Sequence, residues 1–391
     1  MYNITVEVFL KAKIFEKKEF SMDLQELRQN IDSLDREIID AFCKRMKLCK
    51  GVAAYKKANG MQVFQSAREE EIFRKVYDLA PDGLGESTRL LFKNIIDISK
   101  HLQYREIYDD TPDTYKPFSI PKDVTVACQG TEGANAETAA KQIFGEGCSP
   151  TYFSTFADVF EAVQSGKTQF GIIPVQNSTA GSVVQAYDLM GQYNFYINRT
   201  TVVEVTNCLA VRPGTKFSEI RNVYSHPQAL AQCSEFLTKN GLQAIPHSNT
   251  ATAAQMVAQS GEPIAAICSE PCAALYGLEI LCDHISDYVP NYTRFICISK
   301  EMLLSPDADC ISVMLKLPHE EGTLYRLLSK FVICGMNLQK LESRPIRNGS
   351  FEVMFYLDFN GSILDKNVRA LLSDLSENLE YFKFLGNYSE T

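Results

Sequence analysis

From Asp23 to about Tyr108 the apolar residues recur at steps of three and four. Leu24, Leu27, Ile31, Leu34, Ile38 and Phe42 fall on one helical face. The same period continues through Leu48 and Val52 to about Ala58, where Asn59-Gly60 marks a stop. Asp23 is placed to cap this helix. A second helix is expected from Ser66 to Leu79, ending before Pro81-Asp82-Gly83, and a third from Glu86-Ser87 to about Ile107. A first helix of ~35 residues spans ~50 Å, longer than a small domain is wide. One such helix and two shorter ones bury little alone, so intertwining with a second copy is the expected remedy.

Asp109-Asp110-Thr111-Pro112-Asp113, with Pro117 and Pro121, reads as a linker. Strand and helix patterns then alternate. Expected strands are Val124 to Ala127, Gly171 to Pro174, Asn222 to Tyr224, Ile264 to Cys268 and Phe295 to Ile298. Between them lie helices from about Asn135, from Ser182 to Met190, from Ala229 to Lys239 and from Thr252 to Gln259. This order predicts α/β sheets with helices on their faces and a ligand site beyond the carboxyl ends of the strands. After Ser305-Pro306-Asp307 the pattern changes to β-α-β-β-α-β. Its strands are Ile311 to Leu317, Leu338 to Pro345, Phe351 to Phe359 and Phe382 to Leu385. Its helices are Gly322 to Ile333 and Val368 to Leu379, and Asn348-Gly349 signals a hairpin. That order is ferredoxin-like.

The 391 residues suffice for two or three domains, and an apolar share of 45% is that of a globular chain. A net charge of -9 without a long basic block makes nucleic acid and acidic membranes poor partners. No segment has the ~20 uninterrupted apolar residues of a membrane helix. The opening residues 1–21 lack the pattern of a signal peptide and are assigned no role. The 12 cysteines are scattered, without a Cys-x-x-Cys pair, which suits reduced thiols in a cytoplasmic protein. Cys268, Cys272, Cys282 and His284 match no structural zinc spacing.

Chemistry-bearing residues cluster in three places. In the helical region Arg45 and Lys56, eleven residues apart, share a face, as do Ser99 and Gln103, and Gln65 and Glu69. Inward polar groups of this kind need partners, which a polyanion supplies. Leu27-Arg28-Gln29-Asn30-Ile31-Asp32-Ser33-Leu34-Asp35 resembles the start of the all-helical chorismate mutase family. Arg45, Lys56, Arg68-Glu69 and Ser99…Gln103 follow at that family's spacings. The resemblance implies that chorismate is held by Arg28, Arg45, Lys56, Gln65, Arg68, Glu69, Ser99 and Gln103, with Lys56 and Glu69 closest to the chemistry. Gln65 stands where many members have Asp. The rearrangement of chorismate to prephenate needs no nucleophile, metal or redox cofactor, only a compact conformer and stabilised charge on the breaking ether. Arg28 and Arg45 lie ~25 Å apart along one helix. If both are used, Arg28 comes from a partner chain.

In the α/β region Pro174-Val175-Gln176-Asn177-Ser178, Ser225-His226-Pro227-Gln228 and Thr293-Arg294-Phe295 occur in that order. Together they resemble the prephenate dehydratase family, whose two-lobed fold is similar to periplasmic binding proteins. The resemblance implies decarboxylation and dehydration of prephenate to phenylpyruvate without a cofactor. Thr293 is then the donor to the departing hydroxyl, positioned or polarised by Arg294, and Asn177, Ser178, Ser225 and Gln232 bind substrate. Gln176 stands where the family has Glu, and Ala134-Asn135-Ala136 replaces a hydroxyl-rich stretch. The C-terminal Gly322-Thr323-Leu324, Asn337-Leu338 and Glu342-Ser343-Arg344-Pro345 resemble the ACT regulatory domain. This implies that Gly322, Leu324, Asn337, Leu338, Glu342, Ser343 and Arg344 hold L-phenylalanine between two copies, with feedback inhibition.

The expected organisation is residues 22–110 for the mutase, 122–301 for the dehydratase and 310–388 for the regulatory domain, in a homodimer or higher homo-oligomer. The rival readings are a prephenate or arogenate dehydratase with an impaired mutase, and a non-catalytic solute-binding sensor. Fusion to a dehydrogenase would need a Gly-x-Gly-x-x-Gly turn after a strand, and none occurs.

Overall fold

A computed structural model of the chain describes residues 23–108, 115–346 and 352–391. The expected linker at 109–113, the residues 1–21 and the Asn348-Gly349 turn lie outside that set. The chain divides into two compact units, one drawn from residues up to 111 with 369–377, the other from 112–368 with 378–391.

The helical unit holds α1 (Leu24–Ala58), α2 (Ser66–Leu79) and α3 (Gly85–Ile107), as the periodicity predicts. The Asp23 carboxylate caps α1 by accepting from the Glu26 amide at 2.8 Å. Burial along α1 is lopsided. Met46, Ala53 and Lys56, all in its second half, are buried. Leu24, Ile31, Leu34, Ile38 and Ile39 in its first half are 54 to 63% exposed. The apolar stripe that forms the helix is therefore left open by the described residues of its own chain.

The second unit begins with β1 (Val126–Gln129), α4 (Asn135–Phe144), β2 (Thr151–Phe153), α5 (Phe156–Ser165), β3 (Phe170–Asn177), α6 (Val184–Met190) and β4 (Tyr196–Glu204). The chain then crosses to a second sheet. There lie β5 (Cys208–Val211), β6 (Asn222–Ser225), α7 (Pro227–Gln232), α8 (Ser234–Lys239), β7 (Gln243–Pro246), α9 (Thr250–Gln259), β8 (Ala265–Cys268) and β9 (Glu279–Cys282). It returns to the first sheet as β10 (Tyr292–Ser299). The helix expected from Ala229 to Lys239 is thus two short helices, broken at Cys233. The order β9-β5-β8-β6-β7 makes the second sheet, so two crossings, near residues 205–207 and 283–291, join two lobes.

The remaining elements are β11 (Cys310–Lys316), α10 (Thr323–Ile333), β12 (Leu338–Pro345), β13 (Val353–Asn360), α11 (Lys366–Asn378) and β14 (Tyr381–Glu390). Their strand order β12-β13-β11-β14 is the ferredoxin-like arrangement. The last strand runs five residues beyond the expected Leu385. That extension pairs in parallel with β4, Ser389 opposite Arg199 and Glu390 opposite Thr200. One sheet therefore runs β12-β13-β11-β14-β4-β10-β3-β1-β2 through both segments. Their core is shared too: Ile173, Val175, Ile197, Ile296 and Ile298 pack in one cluster with Met314, Tyr356, Leu385 and Tyr388. The stretch near residue 305 is a change of pattern, not an edge of a compact body.

Candidate active sites

The lobes of the second unit enclose a cleft of about 370 Å³, in the range of small-molecule sites. Asn177, at the end of β3, is its hub. The Asn177 Nδ2 donates to Asn291 Oδ1 at 2.7 Å, to Thr293 Oγ1 at 2.9 Å and to the Tyr292 carbonyl at 3.1 Å. Its Oδ1 accepts from the Thr179 and Ala180 amides and from the Thr179 hydroxyl, at 2.8 to 3.1 Å. From the second lobe, Gln232 Nε2 donates to Thr179 Oγ1 at 2.8 Å, while its Oε1 accepts from Asn291 Nδ2 at 3.1 Å. The expected residues Asn177, Gln232 and Thr293 are thus brought together. Because Thr293 accepts from Asn177, its own O–H is left to donate into the cleft.

The other three expected contacts are placed elsewhere. Ser225 is fully buried and donates to the Ile267 carbonyl at 2.7 Å, a bond inside the second sheet, and it does not line the cleft. The cap of α7 is His226, whose Nδ1 accepts from the Gln228 amide at 3.2 Å. The Ser178 hydroxyl accepts from the Tyr292 amide at 2.9 Å, fixing β10 to the turn after β3. Arg294 follows Thr293 on a strand, so its side chain leaves the opposite face. It pairs there with Glu390 at 3.0 Å and cannot polarise Thr293 directly.

His226 and Gln228 of the quoted motif line the cleft too, and Asn207, Asn291 and Gln185, which also belong to the site, were missed by sequence reasoning. Asn207 and Asn291 lie in the two lobe crossings, which no periodicity marks. Among the described lining residues His226 is the one titratable side chain, and burial lowers its pKa, so the ring is neutral at pH 7. No Arg or Lys is among the described lining residues. The N-termini of two ten-residue helices open on it, one with the Glu137 carboxylate in its first turn and the other capped by the Asn249 side chain. Ala134, Asn135 and Ala136 at the start of α4, and Asn249 and Thr250 at the start of α9, face the cleft. Ala134 gives α4 no side-chain cap, which leaves first-turn N–H groups for a carboxylate.

In the helical unit α1, α2 and α3 bring together Arg45, Lys56, Glu69, Ser99 and Gln103. Arg45 Nη1 hydrogen-bonds Ser99 Oγ, which also donates to the Ile95 carbonyl at 2.7 Å. Lys56 is buried and donates to the Val63 carbonyl at 2.6 Å. Its burial lowers the ammonium pKa, and the neighbouring Glu69 opposes that shift. Lys100, absent from the sequence expectation, bridges Glu69 at 3.0 Å and Asp97 at 3.1 Å. Burial opposes its charge, but Asp97 and Glu69, aided by Asp374, hold its pKa above the usual value. Gln103 Oε1 is buried and has no hydrogen-bond partner among the described residues. Arg28, Gln65 and Arg68 are exposed, and Arg68 pairs with Glu71 at 2.6 Å. They do not join this cluster within one chain.

The C-terminal residues divide by strand alternation. On β12, Lys340, Glu342 and Arg344 face one way and Ser343 the other. Glu342 accepts from the Ser182 hydroxyl at 2.8 Å and pairs with Arg344 at 2.7 Å. Gly322 caps α10 at φ +76°, and Leu324 lines a separate pocket of about 520 Å³ with Lys316, His319, Thr323 and Phe355. The Asn337 carbonyl accepts from the Asn360 amide at 2.9 Å, and Leu338 opens β12. The seven expected regulatory residues therefore do not converge on one point of a single chain.

The sequence matches the family described as Prephenate dehydratase over residues 126–303 and Chorismate mutase type II over residues 27–104. The bifunctional chorismate mutase/prephenate dehydratase of Aquifex aeolicus is 32% identical over 368 residues, spanning 94% of this chain and 98% of that one. An Arabidopsis thaliana arogenate dehydratase/prephenate dehydratase 1 is 34% identical over 78% of this chain and 81% of its own length. Among solved structures, the prephenate dehydratase of Arthrobacter aurescens in complex with L-Phe superposes with a TM-score of 0.63. It is 29% identical and covers 68% of this chain and 90% of its own. Both matched segments, their order and the near-complete span agree with the two polar sites just described, and the chain belongs to the bifunctional chorismate mutase/prephenate dehydratase family.

Proposed function

We propose that the chain catalyses two successive steps towards phenylalanine, rearranging chorismate to prephenate and then converting prephenate to phenylpyruvate. The observation that carries the second activity is the Asn177–Thr293 hydrogen bond at 2.9 Å, at the mouth of a cleft with no charged base. The chemistry asks for little more. Loss of carbon dioxide leaves an electron pair that makes the ring aromatic and expels hydroxide. A fixed hydroxyl donor at that oxygen lowers the barrier. The N-termini of α4 and α9 receive the carboxylates. A neutral His226 keeps the cleft free of a cation that would stabilise the leaving carboxylate in the ground state. The sensor reading is the weaker one, because a binding site needs no hydroxyl held at its oxygen by an amide donor and lining the cleft.

The mutase reading rests on Arg45, Lys56, Ser99 and Gln103 lying together across three helices. The active unit is a dimer. The open stripe of Leu24, Ile31, Leu34, Ile38 and Ile39 calls for a cover, and a second α1 laid across it brings Arg28 of the partner to the site. Reduced thiols, with no disulfide among the described residues, suit a cytoplasmic setting. No described helix is long and apolar enough to cross a membrane. L-phenylalanine acts as inhibitor through the C-terminal module, supported by the Leu324 pocket and by the likeness to a phenylalanine complex.

The test is purified protein with chorismate, phenylpyruvate being followed by absorbance. Conversion through prephenate is expected. Prephenate accumulating without phenylpyruvate would remove the dehydratase reading, and no consumption of chorismate would remove the mutase reading.

A further inference from the structure

Thr293 and Phe295 line the cleft, whereas Arg294 and Ile296 on the same strand face the C-terminal segment. Arg294 shares that side with Lys340 and Asp358 of the C-terminal segment, whose charges it feels. Across β3 its register partner is Gln176, which carries no charge. Its carboxylate partner is Glu390 of β14, 3.0 Å away. β14 is not adjacent to β10. It pairs with β4, and β4 pairs with β10 along its length, Val202 standing opposite Arg294. The ion pair thus reaches across one intervening strand and fastens the strand of the reactive threonine to the last strand of the regulatory fold. The approach of β14 to β4 has a strict steric condition. A Cβ at Gly386, where φ is +155°, would lie 2.1 Å from the Ile197 carbonyl oxygen. Only glycine lets the extension of β14 pass.

We propose that Glu390 is a positioning residue for the dehydratase, acting through Arg294 to couple the Thr293 strand to the regulatory module. Effector binding that shifts the module relative to the catalytic sheet reaches Thr293 along this pair, without touching the cleft. Both side chains are about half exposed, 43% and 50%. Exposed pairs are weak, so the contribution is graded, roughly fivefold in the response and not all-or-none. The inference rests on the reading that L-phenylalanine acts at the C-terminal module.

The experiment uses full-length Glu390→Gln and Glu390→Asp. Dehydratase kcat and KM are measured against L-phenylalanine, and L-phenylalanine binding is measured by equilibrium dialysis. For Glu390→Gln we expect unchanged KM for prephenate, unchanged phenylalanine binding and inhibition weakened roughly fivefold, with Glu390→Asp recovering part of it. Gln176→Glu, which offers Arg294 a carboxylate from within its own lobe, should weaken inhibition in the same way. A merely structural role would lower phenylalanine binding itself, and that result would overturn the proposal. So would native-like inhibition of Glu390→Gln in parallel with an inhibited native enzyme. A native enzyme that is not inhibited at all removes the regulatory reading, and this inference with it.

Discussion

At the scale of single residues, the proposed proton donor is held by its acceptor bond. Thr293 Oγ1 is an ordinary alcohol, and Asn177 Nδ2 donates to it at 2.9 Å and holds the oxygen at the cleft. Thr293→Val keeps the shape and deletes the donor. We expect dehydratase kcat to fall on the order of 100-fold, about 3 kcal/mol by analogy with oxyanion donors, while mutase activity in the same protein is unchanged. Ser at this position should recover part of the rate. Near-native turnover by the Val variant would place the donor elsewhere. The sequence marked this residue through its motif and misjudged its neighbour. Adjacent residues on a strand point to opposite faces, so Arg294 was never able to share the cleft. His226 gives a pH signature. Burial lowers its pKa below 6.5, so the unfolded chain takes up a proton more readily than the folded one. Its contribution to stability is fully present above pH 6.5 and is lost as pH falls towards the folded value. Urea midpoints at pH 7.5 and 5 should differ less in His226→Gln than in the native protein. Equal differences would show that another group sets the slope.

At the scale of elements, α1 is the clearest case of a helix whose sequence asks for more than its own chain provides. Its second half buries Met46, Ala53 and Lys56, yet its first half exposes five large apolar side chains. Covering them with a second copy at about 2 kcal/mol each would stabilise the pair substantially. Arg28 sits in that first half, ~25 Å from Arg45, so a shared site predicts complementation. Arg28→Ala and Lys56→Ala should each abolish mutase activity, and mixing them with subunit exchange should restore up to about a quarter of the native sites by statistical assortment. No recovery after exchange is verified would mean that each chain completes its own site. Element positions were largely legible: α2 runs from Ser66 to Leu79 as the pattern indicates. The central strand β4 was not read at all. Asn198, Arg199, Thr200 and Thr201 break its apolar run, and three of these four side chains are buried by tertiary partners such as Ser299 and Gln142.

At the scale of the whole molecule, the dehydratase and C-terminal segments share a sheet and a core. Removing residues 306–391 would uncover Val175, Ile197, Ile296 and Ile298, which pack against Met314, Tyr356, Leu385 and Tyr388. Four side chains at about 2 kcal/mol each approach the 5–15 kcal/mol that holds a domain together. The truncated protein should therefore unfold at lower urea or aggregate, as measured by denaturation and size-exclusion chromatography. A soluble truncation with native stability would show that the shared core is dispensable.

Local pattern determined the three helices, the alternating α/β segment and the β-α-β-β-α-β tail, because helix and strand periods are written in consecutive residues. It also marked Asn177, Gln232, Thr293, Lys56 and Ser99, since motif order survives in the chain. Only the tertiary structure decided which face each polar side chain occupies. It assigned Ser225 to the Ile267 carbonyl, Ser178 to the Tyr292 amide and Arg294 to Glu390. It also carried the last strand past Gly386 into the catalytic sheet, where a glycine that reads locally as a strand end is the one residue that fits beneath the Ile197 carbonyl. Such assignments depend on partners tens to nearly two hundred residues away, and no local period records them.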